Sequence, residues 1–148
     1  MSGFRFSLQR LLDLRQAAER AQAAATGRAN QEVELRRAAS DERATELESM
    51  TREATSEQAL PAGLRRAFEL STDAARHRLV SADDALRAAE AIRSEAQHKL
   101  TDALAARRTL ERLRERREAD WWVEQGRQDR AQDDEVARQM RGQEEEES

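Results

Sequence analysis

The sequence predicts an all-α protein: two long helices in an antiparallel coiled-coil hairpin, the second helix longer. Three observations predict it. Every seventh residue from Phe68 to Leu110 is apolar, running Phe68, Ala75, Ala82, Ala89, Ala96, Ala103 and Leu110. A second column, Leu79, Leu86, Arg93, Leu100 and Arg107, completes the four-and-three spacing of a coiled-coil seam. Ala, Glu, Arg, Leu and Gln dominate, all favour helix, and aromatics are only 3%. The one proline, Pro61, stands in Ala59-Leu60-Pro61-Ala62-Gly63 and marks a place for the chain to reverse.

The first helix is expected from about Ser7, a plausible N-cap, to about Glu57. Arg10 stands where a capping box would carry Glu or Gln. Its stripe opens with Phe4, Leu8, Leu11, Ala18 and Ala25, interrupted by Arg15 and Gln22, and then shifts to Val33, Ala44, Leu47 and Ala54. Ala25, Ala29 and Val33, four residues apart each time, read as a stutter that locally unwinds the supercoil. Only Phe4, Phe6 and Leu8 alternate as a strand would, and Leu11, Leu12 and Leu14 end that pattern.

The turn is expected near 58–63. The second helix follows from near Pro61, a position that tolerates proline at a helix start, to about Met140. Residues 1–140 then form a single hairpin, and 141–148, with Glu144-Glu145-Glu146-Glu147, form a disordered acidic tail. Arms of about 50 residues give a rod of roughly 75 Å. A turn near residue 60 sets Leu11 beside Leu110, brings Phe4 and Phe6 to Leu113–Arg117, and leaves the second helix overhanging from about Glu118.

Charged residues make up 38% of the chain, the formal net charge is −4, and mean hydropathy is −0.98. A negative chain gives no whole-molecule argument for nucleic acid. Cysteine is absent, which excludes disulfides and thiolate metal sites and fits a reducing compartment. No transmembrane run of 18 apolar residues and no secretory signal are found, so a cytoplasmic protein, or one on the cytoplasmic face of a membrane, is expected. The 25 arginines against one lysine carry little weight.

Chemistry finds no foothold. His77 and His98 are three heptads apart on the outermost face, whereas a helical metal pair wants a spacing of three or four. Asp83-Asp84 and Asp133-Asp134-Glu135 are adjacent carboxylates that diverge on a helix. No phosphate loop or nucleophile–base pair is present. No catalytic residue, cofactor site or metal site is therefore assigned, and an enzyme is not expected. Arg93 and Arg107 in the seam either pack their stems with their heads in solvent or fix register.

Two features ask for more than a two-helix seam. One is Phe4, Arg5 and Phe6 with Leu8, Leu11, Leu12 and Leu14, large apolar residues on more than one face beside Arg5, Arg10 and Arg15. The other is the run Arg107, Arg108, Arg112, Arg114, Arg116, Arg117 followed by Trp121-Trp122-Val123. A hairpin brings both to one end. Arg and Trp are the types most enriched where binding energy concentrates. Either Trp caps the end by packing on Phe4 and Phe6, or an external partner docks there.

At these residues the chain resembles the flagellar export protein family FliJ. The opening Phe4-Arg5-Phe6-Ser7-Leu8-Gln9-Arg10-Leu11-Leu12-Asp13-Leu14-Arg15 resembles that family's start. The stretch Leu110-Glu111-Arg112-Leu113-Arg114-Glu115-Arg116-Arg117, with the later Asp134-Glu135-Val136-Ala137, resembles its C-terminal block, although Trp121-Trp122 stands where the family often has tyrosine. The resemblance covers almost the whole chain. It implies a non-enzymatic component of the flagellar type III protein export apparatus at the inner face of the cell membrane. It further implies a stalk-like coiled coil that binds and regulates the hexameric export ATPase, contacts the membrane export gate and escorts export chaperones. On that footing Phe4, Arg5, Phe6, Arg10, Arg15, Arg112, Arg114, Arg116, Arg117, Trp121 and Trp122 are expected to meet the ATPase ring. Met50 and Phe68 are expected at the gate, with a seam role the competing reading of Phe68. The stalk of a virulence secretion system, and a generic or nucleic-acid-binding coiled coil using the arginine run, are the alternatives.

Overall fold

A computed structural model describes residues 3–56 and 60–146. It contains helix α1, Gln9–Ser56 (48 residues), and helix α2, Ala62–Glu146 (85 residues), and no strand among the described residues. The all-α reading and the longer second helix both hold. Residues 57–59, where the first helix was expected to end and the turn to begin, lie outside the described residues. Leu60 and Pro61 are non-helical, and the Pro61 carbonyl accepts the first bond of α2, from the Arg65 N–H at 3.0 Å. Helix α2 also covers 141–146 of the expected acidic tail, while Glu147 and Ser148 lie outside the described residues. Two compact units are present: a central one, Ala18–Ala103, and a terminal one, Met1–Ala17 with Leu104–Ser148.

In the central unit the arms run antiparallel, because partners on α2 fall in number as those on α1 rise. Gln22 Nε2 donates to the Ala96 carbonyl at 3.2 Å, the Ser40 hydroxyl donates to Asp83, and Arg78 donates to Glu46 at 2.9 Å. On α2 both expected columns turn inward, joined outside them by buried Thr72 and half-buried Asp83, Ala85 and Glu90. Ala75, Ala89 and Ala96 are buried, and Phe68, Leu79, Ala82, Leu86, Arg93 and Leu100 are half-buried. Alanine in the seam lets the helix axes approach closely.

On α1 the seam differs from expectation. Thr26, Val33, Ser40, Leu47 and Ala54, one heptad column, turn inward, with Val33 fully buried, and no stutter shifts the stripe. Ala18 and Ala44, assigned to the seam from sequence, are exposed. The physical reason is that hydroxyls occupy the column. Thr26 Oγ1 lies 2.9 Å from the Gln22 carbonyl and 3.2 Å from that of Ala96, and Ser40 bonds Asp83. A buried hydroxyl that is hydrogen-bonded escapes most of its desolvation cost.

One half-buried cluster ties the arms together. Glu46 accepts from Arg43 and from Arg78, each at 2.9 Å. The hydrogen bond from Arg43, then that from Arg78, holds its carboxyl below the usual carboxylate range. His77 and His98 are exposed.

Candidate functional site

The terminal unit gathers most of the singled-out residues, and its geometry follows from a match of repeats. Residues 3–6 precede α1 and are non-helical. Two residues of extended chain advance about 6.6 Å, close to the roughly 6 Å of one four-residue step on a helix. Phe4 and Phe6 therefore meet α2 four residues apart, at Trp121 and Arg117. The Phe4 and Trp121 rings are 6.3 Å apart and tilted by 55°. The Arg117 guanidinium stands over the Phe6 ring, 5.9 Å from its centroid, and donates to the Ser7 hydroxyl at 3.0 Å. The strand-like alternation seen in the sequence is thus a docked segment rather than a strand.

Ser7 is not the residue from which α1 springs. Its hydroxyl serves Arg117, a turn at Ser7 and Leu8 follows, and the helix begins at Gln9, with Leu12 N–H bonded to the Leu8 carbonyl at 2.9 Å. This sets the face of α1. Leu12 is buried at 1% exposure and Phe6 at 8%, while Leu11, expected inside, is 39% exposed and Leu14 60%. Leu110 and Leu113 are half-buried opposite.

Each predicted ring-contact residue has a definite place. Phe6 is buried, and Phe4 and Trp121 are half-buried as a cap on the two-helix end. Trp122 stacks edge-on against Trp121, with centroids 4.7 Å apart at 77°, and stays 63% exposed. Arg5, Arg10, Arg15, Arg112, Arg114, Arg116 and Arg117 are all exposed. Arg5 and Arg114 line a shallow groove with Phe4, Phe6 and Gln9, so the two arginine runs meet beside the aromatic cap. Sequence reasoning missed that Arg117 holds the N-terminal segment. The offset between Arg117 and Trp121, matched to that between Phe6 and Phe4, was the available signal. Arg107 is packed, its side chain 22% exposed, with a 2.6 Å ion pair to Glu111 one turn on.

The two expected gate residues lie in the central unit. Met50 is half-buried. Phe68 is half-buried at the head of the α2 column and lines a groove with Thr51, Ala54, Glu69, Thr72, Asp73 and Arg76. Among the described residues no cluster of His, Cys, Asp or Glu could hold a metal ion, and no helix is long and apolar enough to cross a membrane.

This arrangement, a Phe-x-Phe segment docked on an arginine and tryptophan run of an antiparallel partner, involves both end motifs. A family model described as "Flagellar FliJ protein" matches residues 4–146. The chain belongs to the FliJ family. No curated protein and no solved structure matches it. As a FliJ-family chain it is a flagellar export-related protein, and the family is a non-catalytic component of that export.

Proposed function

We propose that this FliJ-family chain is a coiled-coil stalk of the flagellar export apparatus. It binds and regulates the hexameric export ATPase, links that ring to the membrane export gate, and escorts export chaperones at the cytoplasmic face of the cell membrane. Residues 1–140 act as one hairpin in this reading. The observation that carries it is the end where Phe4, Phe6 and Trp121 form a cap. Arg5 and Arg114 line a groove beside that cap, Arg10, Arg15, Arg112 and Arg116 are exposed in the same unit, Arg117 braces the cap and Trp122 stands out as an apolar anchor.

Such an end suits an acidic ring lining. Guanidinium groups bind carboxylates with two aligned donors, and tryptophan beside them supplies apolar area. The two arms carry different side chains, so six equivalent subunits cannot meet the stalk equally. Unequal contact favours different nucleotide states around the ring, which is linkage between stalk position and hydrolysis. Met50, and Phe68 beside an open groove of the central unit, are assigned to the gate.

The test is titration of the protein into the flagellar ATPase while hydrolysis is followed. The expected result is stimulation by wild type and its loss in the triple variant R112E/R114E/R116E. Arg117 is left in place because it anchors Ser7 and Phe6. An unchanged rate with wild type, or full stimulation by the triple variant, overturns the assignment.

A further inference from the structure

Beyond Trp121, α2 continues as helix, and every residue from Arg127 to Glu145 is exposed. Exposed ion pairs along one helix, such as Arg127–Glu124 at 3.7 Å and Arg138–Glu135 at 3.6 Å, contribute little stability. Its charge is lopsided: residues 129–146 hold seven carboxylates against three arginines. Residues 107–117, earlier on the same helix, hold six arginines against two glutamates. These two stretches lie on either side of Gly126. Added atoms at Gly126 would meet nothing within 4 Å, so no packing inside the chain requires a glycine there. Glycine still costs a helix interior about 1 kcal/mol relative to Ala.

We propose that two copies of the chain pair through this part of α2, antiparallel and centred on Gly126. The acidic extension of each copy then covers the arginine run of the other. A two-fold interface places each residue opposite its mirror position about the centre. Glu144 then faces Arg108, Met140 faces Arg112, and the Trp122 ring faces Arg130. At 3.6 residues per turn all six fall within about 40° of the Gly126 direction, one face of the helix, and all are exposed. Gly126 meets its own copy, where the missing side chain allows close approach. Folding the extension back within one chain would require breaking α2 at Gly126. The helix instead runs through it, with Arg130 Nε donating to the Gly126 carbonyl at 2.8 Å. A second copy is therefore the fitting occupant. The pairing goes beyond the ATPase reading and hides the same arginines, so a paired chain cannot offer them to a ring.

Sedimentation of the full-length protein without ATPase tests the pairing, and its failure leaves the ring assignment standing. Wild type is expected to dimerise as concentration rises, with affinity falling at least about tenfold between low and high salt because the contact is between exposed charges. Variant R108E/R112E/R116E and variant D133R/E144R/E145R are each expected to be monomeric, since both like-charged contacts repel. Mixed in equal amounts they are expected to form a heterodimer, since both contacts are then restored. Circular dichroism confirms that each variant stays helical. A wild type that is monomeric at every concentration, variants that dimerise as wild type does, or a mixture that stays monomeric overturns the proposal. With no native cysteine, Gly126→Cys gives an independent readout. Rapid disulfide linkage between copies is expected, and linkage no faster than for Cys at Arg138 contradicts the register.

Discussion

The guanidinium of Arg117 stands 5.9 Å from the centroid of the Phe6 ring and holds the Ser7 hydroxyl at 3.0 Å. One side chain on α2 thereby fixes the segment that leads into α1 and decides which face of that helix turns inward.

Removing this clamp should free the N-terminal segment. Arg117→Ala is expected to cost about 1 kcal/mol, combining a cation–π contact and a hydrogen bond at a surface site. Arg117→Lys keeps the charge but loses the planar group, so it should recover only part. Amide exchange at residues 4–12 checks both variants. Unchanged protection in Arg117→Ala contradicts the clamp.

The inward face of α1 makes a sharper prediction, because neighbouring leucines have opposite surroundings. Leu12→Ala is expected to cost about 3 kcal/mol and Leu11→Ala well under 1 kcal/mol. In the central unit Val33→Ala should cost about 2 kcal/mol and Leu35→Ala almost nothing. Urea unfolding midpoints give the order directly.

Glu46 predicts a pH dependence whose sign follows from its partners. Its folded pKa lies below the unfolded value, because Arg43 and then Arg78 hydrogen-bond the carboxylate. The stability it contributes is therefore present above the unfolded carboxylate pKa and lost as pH falls through the folded one. Glu46→Gln should flatten the acid limb of the stability profile, and NMR titration of the Glu46 carboxyl should show the lowered midpoint.

The exposed part of α2 predicts a truncation result. Ending the chain after Arg127 removes no buried side chain among the described residues. The urea midpoint of the remaining protein should stay within about 0.5 kcal/mol of wild type. Amides of 127–145 in the intact monomer should exchange with little protection.

These particulars explain what the sequence disclosed. The α2 seam was legible because Ala and Leu hold most places in its two columns, and the lone proline stands just ahead of the helix. The α1 seam was obscured because Thr26 and Ser40 occupy heptad positions while bonded across to Ala96 and Asp83. Hydroxyls read as solvent-facing, and the exposed Ala18 and Ala44 read as core, so apolar counting followed the wrong stripe. Alanine is a weak marker, being tolerated on either face of a helix. At the end of the chain the two motifs were visible, but not their contact. Linking Phe4–Phe6 to Trp121–Arg117 requires setting an extended repeat against a helical one.

Both tryptophans of the protein lie at the proposed ring-binding end, which makes one measurement especially direct. Protein carrying 5-fluorotryptophan gives two fluorine resonances, one from half-buried Trp121 and one from exposed Trp122. On addition of the export ATPase, the resonance of Trp122 is expected to shift and that of Trp121 to broaden, with R112E/R114E/R116E abolishing both changes. Complex formation seen by sedimentation with both resonances unmoved would contradict binding through this end.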